Sequence, residues 1–138
     1  MKLLKQQVHA NEVYKNGYTG KNVRIAVLDT GVFLHRDLRN RVFGFKDFVD
    51  GRGYCYDDNG HGTHVTGIIC SNGTIKGIAP DAQVAAIKVL DREGNGKTNR
   101  VLQALEWIQE YKKKYAIRIL NFSVGFLPGA ESEEQKLI

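Results

Sequence analysis

Four segments of this sequence carry possible chemistry. The first is Asp29, in Asp29-Thr30-Gly31, directly after the run Val23-Arg24-Ile25-Ala26-Val27-Leu28. A carboxylate there sits at the carboxyl edge of a sheet, where open α/β folds place their sites. Taken alone, an aspartate in that position is more often a plain turn residue. The second is His61-Gly62-Thr63-His64, which opens a helix. Gly60 and Gly62 let another backbone or a substrate come close, and His61 falls at the helix end, away from its buried face. Two histidines three residues apart on a helix can also ligate zinc. Such sites usually carry a glutamate base or a third ligand nearby, and here His61 is followed by Gly62 and Thr63.

The third segment, Gly94-Asn95-Gly96-Lys97-Thr98, follows a strand and precedes a helix, the setting of a phosphate-binding loop ending in Gly-Lys-Thr. That pattern needs a glycine five residues before Gly96, where this chain has Asp91, a carboxylate that repels phosphate. The fourth, Asn121-Phe122-Ser123-Val124-Gly125, approximates the Gly-x-Ser-x-Gly turn that exposes a serine nucleophile between strand and helix. Asn121 replaces the first glycine and would crowd the sharp turn, so a strand end with a small polar residue is the plainer reading.

The elements that must position these residues alternate along the chain. Residues 23–28, 41–49, 84–90 and 117–125 read as strands; residues 8–14, residues 61–70 and a segment opening at Thr98 or Asn99 read as helices. Asn16-Gly17 stops the first helix. Thr98 or Asn99 can cap the last, which turns Val101, Leu102, Leu105, Trp107 and Ile108 inward and its lysines, Lys112-Lys113-Lys114, to water. Residues 50–60 form a polar loop that delivers the chain to His61, and residues 131–138 begin like an amphipathic helix. This alternation predicts an α/β domain with a mainly parallel sheet and helices on both faces.

The 138 residues include 20 Lys+Arg against 15 Asp+Glu, two cysteines and 42% hydrophobic residues, a globular composition with room for a core. No apolar run approaches about 18 residues, so no membrane span is expected. Met1-Lys2-Leu3-Leu4-Lys5-Gln6-Gln7 turns polar too early for a signal peptide. Cys55 and Cys70 are expected to stay reduced, and the expected compartment is the cytoplasm, with secretion the alternative if Met1 is not the natural start. The net charge of +5 is modest and much of it lies in the helical lysines, so nucleic acid is not an expected partner.

Taken jointly, Asp29-Thr30-Gly31 and Asn59-Gly60-His61-Gly62-Thr63-His64-Val65-Thr66-Gly67 resemble the aspartate and histidine boxes of subtilisin-like serine peptidases, in order and in separation. The likeness continues through Gly77-Ile78-Ala79-Pro80, Ile87-Lys88-Val89-Leu90 and Ile119-Leu120-Asn121-Phe122-Ser123-Val124-Gly125, nearest in character to intracellular members. It implies that family's three-layer α/β fold. By the resemblance Asp29 orients His61 and stabilises its imidazolium, while His61 takes a proton from a serine hydroxyl and later hands it to the leaving amine. His64 would be a packed, hydrogen-bonded structural histidine. Gly94-Asn95-Gly96 and Ser123-Val124-Gly125 would be two rails of a groove that takes an extended peptide as an intervening strand. Ser123 is then a groove residue.

The chain also departs from the family pattern. Asp37 matches a calcium ligand of calcium-bound members, but its partner loop is a few residues shorter, at Cys70-Ser71-Asn72-Gly73-Thr74. No other cofactor is implied. None of the three serines, Ser71, Ser123 and Ser132, stands in the Gly-Thr-Ser-Met-Ala setting of the family's nucleophile. The family's oxyanion asparagine lies beyond the position of Ile138. The expectation is an N-terminal extension with a helix over residues 1–19 and the N-terminal part of one peptidase domain over residues 20–138. Such a chain is expected to be inactive alone and to be partnered by the rest of the domain. The other class of reading is a non-catalytic peptide-binding module or a truncated fragment. Asp57 and Asp58, just before His61, could draw basic side chains toward the cleavage site or could be solvated loop carboxylates.

Overall fold

The computed structural model describes residues 1–125, so the helix start expected at residues 131–138 lies outside the described residues. Among these described residues, four helices, α1 (Lys2–Gln7), α2 (Ala10–Lys15), α3 (His61–Cys70) and α4 (Thr98–Tyr111), accompany four strands. The strands are β1 (Arg24–Asp29), β2 (Val42–Asp47), β3 (Gln83–Lys88) and β4 (Ile117–Phe122). They form one parallel sheet in the order β2-β3-β1-β4.

Side chains along a strand alternate between faces. Ile25, Val27, Val84 and Ala86 pack with Val65, Ile69 and Cys70 of α3 on one face; Ala26, Leu28, Ala85 and Ile87 pack with Val101, Ala104, Leu105 and Ile108 of α4 on the other. Burial on both faces is why β1 and β3 read as near-continuous apolar runs. The α/β architecture with helices on both faces is as expected. From β2 the chain moves one strand across the sheet through α3 to β3, then two strands further the same way through α4 to β4. Because α3 and α4 cover opposite faces, the two crossovers have opposite hands, and one runs against the strong right-handed preference of such units.

Several element ends differ from expectation. The spacing predicts a helix over residues 8–14; α2 begins only at Ala10, after His9 at a φ of 53°, and a further short helix, α1, precedes it. Gly17 closes α2 as expected, its N–H reaching the Tyr14 carbonyl (2.9 Å), and the Tyr14 hydroxyl docks the helix by donating to the Ile78 carbonyl (2.5 Å). β2 ends at Asp47 because that carboxylate takes the N–H groups of Val49 and Asp50 (2.8 and 3.2 Å) and turns the chain. β3 gives way to a loop in which Leu90 bridges back to Gly96. Helix α4 is entered from an extended Lys97, with no side-chain cap from Thr98 or Asn99. Among the described residues no helix is long and apolar enough to cross a membrane.

Candidate active site

All four strands run the same way, so their carboxyl ends share one edge, and β1 lies between β3 and β4. Asp29 ends β1 at that edge; residues 94–96 follow β3 and residues 123–125 follow β4. The two expected rails therefore leave the sheet on either side of Asp29.

His61, the first residue of α3, meets Asp29 from the neighbouring layer. Its Nδ1 lies 2.8 and 3.0 Å from the two carboxylate oxygens. Asp29 is 1% exposed, whereas 51% of the His61 side chain is open to solvent. The Thr30 N–H also donates to Asp29 Oδ1 (2.7 Å). A buried carboxylate on Nδ1 sets the orientation of the ring and favours the tautomer in which Nε2 accepts a proton.

Two glycines make this approach sterically possible. A Cβ on Gly62 would run into the Gly31 carbonyl and stand 3.1 Å from Asp29 Oδ1. Gly31, at φ 117°, adopts backbone geometry that favours glycine, and a Cβ there would strike the Tyr56 carbonyl.

Asp57 proves to organise the histidine loop. Its Oδ1 accepts the Thr30 hydroxyl (2.8 Å) and the N–H groups of Gly60 and Asn59 (2.9 and 3.2 Å); its Oδ2 accepts the Thr63 N–H (2.8 Å) and hydroxyl (2.5 Å). Thr30 Oγ1 in turn accepts the Gly62 N–H (2.9 Å). Asp57 thus satisfies orphan donors at the start of α3, where Gly60 has no side chain to offer. Burial opposes its charge, but the hydrogen bonds from Thr63, Gly60 and Thr30 outweigh it and hold the carboxyl below the ordinary range. An acidic residue in a polar loop just ahead of a helical run is a capping signal, and that signal was present in the sequence.

Asp58 is engaged as well, accepting from the buried Lys88 ammonium at 2.8 Å. With both carboxylates bonded inside the chain, neither stands as a bare landing point for a basic substrate side chain. His64 also departs from expectation: it is exposed, and its ring makes no hydrogen bond to another described residue. The face α3 buries runs through Gly62, Thr66 and Cys70, at a spacing of four, which turns His64 away from the sheet. Among the described residues no three potential ligands gather to pair it and His61 with a metal.

The loop after β3 is held by its own aspartate. Asp91 Oδ1 accepts the N–H groups of Glu93 and Asn95 (3.0 and 2.9 Å), and the Gly94 N–H donates to the Asp91 carbonyl (3.0 Å). Amides spent on a carboxylate cannot cradle a phosphate. The Asn59 side chain ties this loop to the histidine loop by donating to the Arg92 carbonyl (2.9 Å). Of the serines, Ser71 donates to the Gly67 carbonyl (2.8 Å) and Ser123 accepts from the Asn121 amide (2.9 Å), so neither hydrogen-bonds His61; Ser132 lies outside the described residues.

Asp37 is buried beneath the loop expected to be short. Its carboxylate accepts the Ile75 N–H (3.2 Å) and lies 3.6 Å from the Arg36 guanidinium, while Gly73 passes so close that a Cβ would strike it. Backbone hydrogen bonds from Ile75 and Thr74, with the nearby charges of His35 and Arg36, overcome desolvation and hold its carboxyl below the usual range. Amide donors and a guanidinium do not fit a calcium site, which takes about six to eight oxygens.

The described residues thus form a parallel sheet that carries a buried carboxylate–imidazole pair at its carboxyl edge, between the loops of residues 94–96 and 123–125. The chain belongs to the Subtilase family, which matches it over residues 20–136. It is similar to Serine protease AprX of Bacillus subtilis (strain 168), 40% identical over 127 residues that cover 85% of this chain and 29% of the relative. It is also similar to Subtilisin Savinase of Lederbergia lenta, 44% identical over 122 residues that cover 86% and 43%. The solved structure of Sphericase aligns with a TM-score of 0.72 at 36% identity, covering 78% of this chain and 38% of that one. The chain thus spans less than half the length of these relatives.

Proposed function

We propose that this chain supplies the acid–base pair and two walls of the peptide groove of a subtilisin-type serine endopeptidase. The observation that carries the reading is the buried Asp29 carboxylate held on Nδ1 of the half-exposed His61. In this role Asp29 keeps a proton on Nδ1 and stabilises the imidazolium. His61 Nε2 accepts the proton of a serine hydroxyl as that oxygen attacks the scissile carbonyl, and gives it to the leaving amine when the tetrahedral intermediate collapses. Water, activated by the same nitrogen, then releases the acyl group from the serine.

The serine and the oxyanion donors come from the remainder of the domain, the chain's principal partner. What supports this reading is that Ser71 and Ser123 are hydrogen-bonded elsewhere than to His61 and that the relatives are longer than this chain. The substrate lies extended between residues 94–96 and 123–125, where small residues leave room for its backbone. Without its partner the chain does not turn over peptide bonds.

The test is kinetic, in the whole peptidase that carries this chain. Asp29→Asn should lower kcat about 10⁴-fold, and His61→Ala should cost at least as much, with KM little changed. Undiminished kcat in His61→Ala would sink the reading. Labelling of the 138-residue chain itself by a fluorophosphonate, lost in Ser123→Ala, would move the nucleophile to Ser123.

A further inference from the structure

Lys88 ends β3 and is fully buried, and it heads the fully buried side chains among the described residues by volume. An ammonium is costly to bury unless it is paired and hydrogen-bonded, and a lysine stem is long enough to carry its head to water in most settings. Here the head turns inward. Nζ donates to the Thr30 carbonyl (2.7 Å), to Asp58 Oδ1 (2.8 Å) and to the Leu90 carbonyl (2.9 Å), which uses its three donors. It also lies 5.0 Å from the centre of the Tyr56 ring.

Each acceptor belongs to a different part of the site. Thr30 directly follows Asp29; Asp58 lies in the loop that delivers His61; Leu90 begins the loop that carries residues 94–96 and bridges to Gly96. Lys88 is also the cross-strand register partner of Asp29. We infer that Lys88 is a positioning residue: by drawing Thr30, Asp58 and Leu90 onto one point charge, it sets how closely His61 approaches Asp29 and where the groove wall stands beside them. It touches neither substrate nor reacting atoms. Its consequence for proteolysis rests on the function proposed above, whereas its effect on the Asp29–His61 contact does not.

The test reads that contact directly, through the downfield proton resonance of His61 Nδ1–H and its exchange with water in the full chain. No peptidase activity is needed, so failure here is distinguishable from failure of the proposed function. Lys88→Met keeps the stem and removes all three donors. Its Nδ1 proton should exchange about tenfold faster than in the parent, the scale of one lost charge-assisted hydrogen bond, at a temperature where far-UV circular dichroism stays native. Asp58→Asn, at a partly exposed position, keeps a neutral acceptor and should accelerate exchange by a smaller factor, about threefold. Parent-like exchange in both variants overturns the assignment. If Lys88→Met does not fold, Asp58→Asn decides alone, and a parent-like rate there overturns it.

Discussion

Asp57→Ala removes the acceptor of five hydrogen bonds at once, from the hydroxyls of Thr30 and Thr63 and the backbone N–H groups of Asn59, Gly60 and Thr63. The amides of Asn59 and Gly60 lie on exposed residues and can take water instead, but Thr30 is 1% exposed and is left with a buried hydroxyl that donates to nothing. Losing a helix cap costs about 1 kcal/mol, and an unsatisfied buried hydroxyl adds about 1 to 2 kcal/mol. The expected loss is about 2 to 3 kcal/mol, or a fall in Tm of roughly 10 °C for a domain near this size. Its pH dependence has a definite sign. The Asp57 carboxyl is held below its ordinary value of 3.8 in the folded chain, so its contribution is present above that value and is lost as pH falls through the folded one. Asp37 and Asp47, held low as well, titrate in parent and variant alike and cancel in the difference. The assay is urea unfolding of both proteins, at about pH 7 and at about pH 2.5. A difference below about 0.5 kcal/mol at neutral pH, typical of an unremarkable surface position, would refute the capping argument. A difference that stays undiminished in acid would show that the carboxylate charge is not its source.

Other consequences are equally concrete. Gly62→Ala should destabilise by about 1 to 3 kcal/mol and abolish the His61 Nδ1–H resonance, while Gly67→Ala, five residues along the same helix with nothing within 4 Å of its Cβ, should be neutral or stabilising. Burial pushes the Cys70 thiol up to about 12 and raises that of Cys55, so iodoacetamide at mildly alkaline pH should spare Cys70 until the chain unfolds. Titration with ATP should give no binding in the parent, and Lys97→Ala should change nothing, because Asp91 occupies the loop amides. Removing calcium with EGTA should leave Tm unchanged within about 1 °C, since the Asp37 carboxylate is already satisfied by the chain.

Much of this protein is legible in its sequence. Asp29 and His61 each sit in a short box whose neighbours announce its setting: an apolar strand before the aspartate, glycines around the histidine. β1 and β3 were legible because a strand covered on both faces must be apolar at nearly every position. Other boundaries escaped for local reasons. His9 takes a left-handed conformation that delays the start of the predicted helix to Ala10, and the Asp47 side chain ends β2 two residues before its apolar run does.

The sequence by itself determined which groups are present and which segments favour strand or helix, because those properties depend on neighbours a few residues away. Only the tertiary structure decided how the charges are used. Asp57 bonds Thr30 across 27 positions, Asp58 meets Lys88 across 30, and Lys88 reaches the Thr30 carbonyl across 58. Parallel strands joined by long crossovers make sequence separation uninformative about distance. A pair of loop acids that in the sequence could equally draw basic substrate side chains or stand solvated thus becomes, once folded, a helix cap and a counter-ion.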